Sequence, residues 1–375
     1  MDGQTIILFI VGLALVAGGA DVFVRGASRL AVSLGVSPLV IGLTVVAYGT
    51  SAPELAVSLR AGLDQAPDVA VGNVVGSNIY NIVLILGLAS LAAPLSVSHQ
   101  LLVRDLPLMI GLSIVLVAMS LDGRVERIEG ALLAAGCLAY TVFSIRKGRQ
   151  EVRDARLLND PRVLAEMSLS FFRRWGGPVA RVLLGTALLV LGAGWVKDGA
   201  VGIAAYLGVS ELVIALTVVA VGTSLPELAT SVAASLQGER DIAVGNAIGS
   251  NMFNILLVVG VAAALTQGGL AVAPQALRFD MPVMLAVAVV CWPLFAVGRR
   301  ISRAQGAFLL LFGAFYTFFL VYKAGQQQVP TAREAAGIIV LILLPAVLLL
   351  LCGEHLWRGR RRRSGSCDSL NGDAS

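Results

Sequence analysis

Glu54 and Glu227 each follow a proline inside a stretch apolar enough to cross a bilayer, in the near-identical heptapeptides Gly49-Thr-Ser-Ala-Pro-Glu-Leu55 and Gly222-Thr-Ser-Leu-Pro-Glu-Leu228. A charged side chain at mid-membrane costs about 2.5–3.5 kcal/mol even on insertion scales, so two at matching positions call for a compensating ion. On a helix, Ala47, Thr50, Ser51, Glu54 and Ser58 recur at spacings of three and four and share one face, as do Ala220, Thr223, Ser224, Glu227 and Ser231. Pro53 and Pro226 lack an N–H and crowd the preceding turn. Carbonyls from Ala47 to Gly49 and from Ala220 to Gly222 are therefore expected to lose their helical donors, which makes them available to a cation lining a cavity.

A second polar stripe follows each motif at four-residue spacing: Asn73, Ser77 and Asn81, then Asn246, Ser250 and Asn254. A lone serine or asparagine in a membrane helix ordinarily serves as an interhelical hydrogen-bonding group. Next to a glutamate stripe these residues complete an all-oxygen set, and carboxylate, hydroxyl, amide and backbone oxygens without thiolate or imidazole favour hard cations such as Ca²⁺ and Na⁺. Asp68 and Asp241, just ahead of these stripes, are expected as helix N-caps.

The elements that must position these groups follow from a duplication. From Leu34 to Ala89, 35 of 56 positions are identical to the residue 173 further on, which marks a repeated unit. With 57% hydrophobic and 14% charged residues and a mean hydropathy of +0.85, the chain departs from soluble composition, where about 25% of residues are charged. Apolar stretches fall at residues 5–30, 38–63, 69–93, 101–120, 126–145, 178–203, 211–236, 242–266, 277–297, 304–323 and 335–352, giving eleven expected crossings. The first lacks a basic leader and is expected to be retained. Each core unit sits in a block of five crossings; five is odd, so the second copy enters the membrane upside down relative to the first.

The expected fold is thus an all-α polytopic membrane protein of two inverted five-helix repeats with broken core helices, plus an eleventh C-terminal helix. Residues 1–145 form the first repeat with an ion-binding core at 40–90, and 146–176 a basic cytoplasmic loop. Residues 177–325 form the second repeat with its core at 213–263, and 326–375 carry the extra helix and a basic disordered cytoplasmic tail. An outside N-terminus puts about 21 of the Lys and Arg residues on the cytoplasmic side and about 7 opposite, as positive-inside bias requires. That topology also accounts for the net charge of +5 without nucleic acid. Cys137, Cys291, Cys352 and Cys367 stand at no metal-ligand spacing and read as packing or tail residues. The glycines of segment one (Gly18, Gly19, Gly26) and segment six (Gly192, Gly194, Gly199, Gly202) allow close helix approach.

With Gly-Thr-Ser-X-Pro-Glu in both halves and Gly-Ser-Asn-X-X-Asn at 76–81 and 249–254, the sequence resembles the cation/Ca²⁺ exchanger superfamily, particularly its prokaryotic sodium/calcium exchangers. The resemblance covers the first ten crossings, the eleventh helix and tail lying beyond it. It implies that Glu54, Glu227 and the carbonyls of Thr50 and Thr223 hold Ca²⁺. Ala47, Ser51, Ser77, Asn81, Ala220, Ser224, Ser250 and Asn254 would complete Na⁺ sites around the same glutamates, and segments one and six would slide across the core. Asn254 stands where some relatives carry Asp, which lowers the central charge and disfavours K⁺ co-transport; the Glu that follows Gly-Asn in proton/calcium exchangers is missing from Gly72-Asn73-Val-Val and Gly245-Asn246-Ala-Ile.

The expected activity is Na⁺/Ca²⁺ antiport in a bacterial inner membrane, not an enzyme reaction. It needs no cofactor, takes Ca²⁺ and Na⁺ as substrates and the lipid bilayer as partner, with no nucleic-acid or identifiable protein partner. A proton-driven Ca²⁺ antiporter is the nearest alternative, followed by a cation channel. An intramembrane hydrolase lacks a mid-membrane His or Lys base.

Overall fold

A computed structural model of the 375-residue chain describes residues 3–64, 66–154, 172–209, 214, 217–218, 220–342, 344–345 and 348. Lipid offers no partner to a free N–H or C=O, so apolar runs of this length close their hydrogen bonds internally as helices. In chain order these are α1 (Thr5–Leu34), α2 (Pro38–Thr50), α3 (Ala52–Leu63), α4 (Val69–Ala92), α5 (Leu101–Met119), α6 (Arg127–Arg153) and α7 (Arg174–Tyr206). There follow α8 (Ala220–Thr223) and α9 (Leu225–Leu236), then α10 (Arg240–Leu265), α11 (Ala276–Arg299) and α12 (Arg303–Gly325), and α13 over 332–342.

Among the described residues, eight helices are long and apolar enough to span, and α2 with α3 forms a ninth span bent by 48°. Of the two remaining expected crossings, the segment at 211–236 is described mainly from 220 onward and the one at 335–352 as far as α13. The tail beyond 348 and most of the basic loop, 155–171, lie outside the described residues.

Burial sorts the helices into a centre and a shell. In the most apolar stretches of α4 and α10, 78% of residues are buried, against 28% in α1, α6 and α7, so α4 and α10 are the inner pair and the others face lipid. Two short antiparallel ribbons tie the halves together at the ends of the bundle. β1 (Leu95–Ser96) pairs with β4 (Arg300–Ile301), and β2 (Arg124–Val125) pairs with β3 (Leu270–Ala271). Each ribbon takes one strand from each half, the reciprocal pairing that a two-fold relation produces.

The outer helices α1 and α7 run antiparallel along a glycine seam. A Cβ on Gly12 would lie 2.9 Å from the Gly192 carbonyl, one on Gly19 2.9 Å from Leu188 Cβ, and one on Gly26 2.8 Å from Arg181 Cβ. Position rises along α1 as it falls along α7. The seam recurs every seven residues on both helices, at Gly12, Gly19 and Gly26 and at Gly185, Gly192 and Gly199, the period that keeps one stripe facing a partner over several turns. The sequence reading had part of the set: Gly18 and Gly194 have nothing within 4 Å of their Cβ positions. Gly185, not singled out beforehand, approaches closest, its Cβ position 2.6 Å from Phe23 Cβ.

The expectation that Asp68 and Asp241 are N-caps is not met. The helix that continues into the α4 span opens at Pro67 and α10 opens at Arg240, so the caps are Ala66 and Glu239 and each Asp falls in the first helical turn instead. Pro67 explains the first case, since its fixed φ suits the opening helical position and starts the helix one residue before Asp68. Glu239 bonds the hydroxyl of Ser28 on α1 at 2.6 Å instead of capping its own helix.

Candidate cation-binding site

Ser51 and Ser224 are the hinges of the two broken helices, with φ,ψ of −81°, 7° and −89°, 8°. Each occupies an N-cap, three residues before a glutamate in the first turn of the next helix, and a serine there usually accepts a bond from its own helix. Neither does. Instead the hydroxyls cross between the halves: Ser51 Oγ donates to Glu227 Oε1 at 3.1 Å, and Ser224 Oγ donates to Glu54 Oε1 at 3.4 Å. Both glutamates are 1% exposed. The partial positive charge at the N-termini of α3 and α9 favours a carboxylate in just this first turn.

Behind the glutamates, an asparagine clamps each hinge helix to its inner neighbour. Asn73 Nδ2 donates to the Glu54 carbonyl at 3.3 Å and to Ser58 Oγ at 2.9 Å; Asn246 Nδ2 donates to the Glu227 carbonyl at 3.1 Å and to Ser231 Oγ at 2.9 Å. The serines pass these bonds on to the carbonyls of Ala70 and Ala243. Asn246 Oδ1 also accepts from Thr50 Oγ1 at 3.1 Å. Asn73 and Asn246, read from sequence as part of the ligand stripe, thus orient the glutamate-bearing backbone.

Beyond them the stripe divides. Asn81 Nδ2 donates to Asn251 Oδ1 at 2.9 Å and Asn254 Nδ2 to Asn78 Oδ1 at 3.0 Å, again across the halves. Asn78 and Asn251 in turn donate to the sulfurs of Met284 and Met109, both at 3.6 Å. Asn78 and Asn251 were missed as site residues, although each is the first asparagine of Gly-Ser-Asn-X-X-Asn. By binding the amide N–H groups of Asn254 and Asn81, they leave those residues' oxygens free.

The unpartnered atoms then form a matched set. Glu54 Oε2, Glu227 Oε2, Asn81 Oδ1, Asn254 Oδ1 and Ser250 Oγ are buried without a hydrogen-bond partner. Ser77 Oγ, the counterpart of Ser250, lies 3.4 Å from Ser224 Oγ. A buried acceptor left unpaired costs about 1–3 kcal/mol, more when charged, and carboxylate and amide oxygens are the kinds of ligand a hard cation takes. Among the described residues no three His, Cys, Asp or Glu side chains cluster, so neutral oxygens must supply the rest of any coordination shell.

π-helical turns at Gly42–Val46, Asn81–Leu86 and Asn254–Val259 adjoin these residues and shift the helix phase beside them. The freed carbonyls follow a finer rule than the sequence suggested. Ala47 keeps a donor, the Ser51 N–H at 3.0 Å, because the helix breaks after Ser51 rather than before it. In the second half the Ser224 N–H turns to the Val221 carbonyl at 3.1 Å, a tighter turn. Gly49 and Gly222 are the carbonyls whose fourth-following residue is a proline without a donor. Thr50 is fully buried and Thr223 half-buried beside them. Ala220 lies at the start of α8, and its side chain is outside the described residues.

The family model described as sodium/calcium exchanger protein matches residues 4–146 and 178–322. The chain belongs to the sodium/calcium exchanger family. As a member of that family it is a multi-pass membrane transporter and not an enzyme. It is 43% identical over 314 residues to the inner membrane protein YrbG of Escherichia coli, covering 82% of this chain and 93% of the relative. It is 35% identical over 344 residues to the sodium/calcium exchanger MaX1 of Methanosarcina acetivorans, covering 84% and 97%. Among solved structures, the sodium-calcium exchanger NCX_Mj soaked with 2.5 mM Na⁺ and 0.1 mM Ca²⁺ superposes with a TM-score of 0.70 at 30% identity, covering 87% of this chain and 99% of that one.

Proposed function

We propose that this exchanger-family protein is a secondary-active antiporter that moves Na⁺ and Ca²⁺ in opposite directions by alternating access around the Glu54–Glu227 pair. The observation that carries this reading is the matched set of unpaired buried oxygens on Glu54, Glu227, Asn81 and Asn254. Glu54, Glu227 and the Thr50 and Thr223 carbonyls take Ca²⁺. Ala47, Ser51, Ser77 and Asn81, with Ala220, Ser224, Ser250 and Asn254, serve Na⁺ around the same carboxylates. Because the ligands are shared, the two ions compete, and competition couples their opposite movements. Two carboxylates balance one Ca²⁺ or two Na⁺, and a third Na⁺ leaves the loaded site positive, so exchange at that ratio carries current.

The halves, residues 1–145 and 177–325, act as inverted repeats; the antiparallel run of α1 and α7, matched at an offset of 173, supports this, since equivalent helices of an inverted pair point opposite ways. The glycine seam makes α1 and α7 one unit that slides over the core at 40–90 and 213–263. The loop at 146–176 and the tail face the cytoplasm, with the N-terminus outside, in an inner membrane. The segment 326–375 supplies the eleventh crossing.

Counter-flow in proteoliposomes tests the reading. In Ca²⁺-loaded vesicles at clamped pH, an external Na⁺ pulse is expected to release Ca²⁺ much faster than K⁺ or an imposed pH gradient. Release by the pH gradient alone would replace Na⁺ with protons as the driver, and release without any counter-ion would make the protein a channel.

A further inference from the structure

At one end of the bundle, the connection between α5 and α6 and the ribbon of β2 with β3 border a cleft of about 750 Å³ lined by Arg124, Glu126, Arg127, Ile128, Ala131 and Leu132, with Ala264 and Gly268 across from them. A smaller cavity of about 320 Å³ adjoins it, sharing Arg124 and Gly268. Residues 120–126 join two spans, so this rim lies at the membrane boundary while the first turns of α6 enter the hydrocarbon. The cleft therefore changes character along its length. Its outer end is charged; its inner flank carries Ile128 and Leu132, four residues apart on α6 and 72% and 62% exposed, which in a membrane helix means contact with acyl chains.

The charges at the rim are of both signs and unspent. The backbone N–H of Arg124 donates to Asp122, and that of Glu126 to Glu129. The Arg124 guanidinium and the Glu126 carboxylate have no hydrogen-bond or ion-pair partner among the described residues. Arg127 donates from Nε to the Ala264 carbonyl at 3.1 Å, which fixes the guanidinium over the cleft with its remaining N–H groups free. The pseudo-equivalent end, at β4 and the start of α12, differs. There Arg303 makes the matching bond to the Leu91 carbonyl at 3.1 Å, and Arg299 and Arg300 precede it, but Ser302 and Gln305 stand where Glu126 and Glu129 do. In this stretch of sequence the β4 side carries only cations, while the β2 side carries both signs.

We propose that this cleft binds a phospholipid with a primary-amine headgroup. Arg124 and Arg127 hold its phosphate, Glu126 accepts from its ammonium, and one acyl chain lies along Ile128, Ala131 and Leu132. A purely anionic headgroup meets the rim acids unfavourably, and a quaternary amine has no N–H to give Glu126, so the pattern selects the primary amine over both. The site is separate from the paired glutamates and stands or falls independently of ion exchange.

Native mass spectrometry of the full-length protein, titrated with phosphatidylethanolamine, phosphatidylcholine and phosphatidylglycerol of identical acyl chains, tests this. Wild type is expected to retain phosphatidylethanolamine roughly tenfold better than either other lipid, the scale of one charge-assisted hydrogen bond. Glu126→Gln should erase the preference over phosphatidylcholine while keeping the phosphate contact, and Arg124→Gln should weaken all three lipids; both positions are exposed, so neither change threatens folding. Millimolar inorganic phosphate should leave retention unchanged, because it lacks the acyl chain. Equal binding of the three lipids by wild type, a preference for phosphatidylglycerol, displacement by inorganic phosphate, or unaltered binding in both variants would overturn the proposal.

Discussion

Replacing Glu227 with glutamine separates what the carboxylate does for the fold from what it does for the ion. The side chain is buried, accepts from Ser51 at 3.1 Å, and leaves Oε2 unpaired. Glutamine keeps the shape and an acceptor for Ser51 but removes the charge. In ion-free buffer the variant should be at least as stable as wild type, because a buried charge without a counter-charge has been deleted. Ion binding should suffer the opposite effect. Losing one partner of a buried charge interaction costs about 3–5 kcal/mol, which raises Kd by at least about 100-fold. Wild type held at about 100 times its Kd for Ca²⁺ gains about 2.7 kcal/mol of stability; the variant at the same concentration gains about 0.4 kcal/mol or less. Thermal unfolding in nanodiscs with and without Ca²⁺ reads both quantities, and ⁴⁵Ca²⁺ flux should vanish in parallel. A variant that keeps the full Ca²⁺-dependent shift would refute the paired-glutamate site, as would one several kcal/mol less stable without ions, which would make the carboxylate a structural group.

Three further outcomes follow from particular contacts. Gly185→Val should pry α1 from α7, because even a Cβ there would sit 2.6 Å from Phe23 Cβ; overpacking of this kind costs about 1–3 kcal/mol, visible as lower thermal stability, whereas Gly194→Ala, with open space at its Cβ position, should be near neutral. Glu239→Ala removes the 2.6 Å bond to Ser28, one of two side-chain hydrogen bonds from α1 to this turn among the described residues, the other being Gln237 to Asp21 at 3.1 Å. The equivalent positions at the other end, Val201 and Ala66, can form no such bond, so faster amide exchange at 237–239 and along 21–28 is expected without change near 66. Glu334, paired with Lys323 at 2.6 Å, has its carboxyl held below the usual value chiefly by that bond. A depressed folded-state value contributes stability above the unfolded value and loses it as pH falls through the folded one; the docking of α13 should loosen only on acidification below the carboxylate range. The effect is small for a single half-buried ion pair near the surface, and amide exchange across 326–334 at descending pH measures it.

The sequence alone determined where the nine described spans fall, which residues repeat, and which polar side chains lie within those spans. In lipid every backbone group must bond internally and every ionisable side chain is costly, so apolar runs and the two Pro-Glu motifs carried their meaning without a partner in view. The offset of 173 told which residues are equivalent. It could not tell how the two copies meet. That Ser51 serves Glu227 rather than its own helix, and that Asn78 and Asn251 hold Asn254 and Asn81 with their oxygens free, depends on contacts between residues about 170 positions apart. The glycines that touch were likewise decided by rotation: Gly18 and Gly19 are adjacent in sequence, yet only Gly19 faces α7. A helix turns about 100° per residue, so neighbours point to different surroundings, and only the packed bundle fixes which face meets the partner. The same holds for the start of α10, where the cap is Glu239 and not Asp241 because of where the chain enters the helix beside α1.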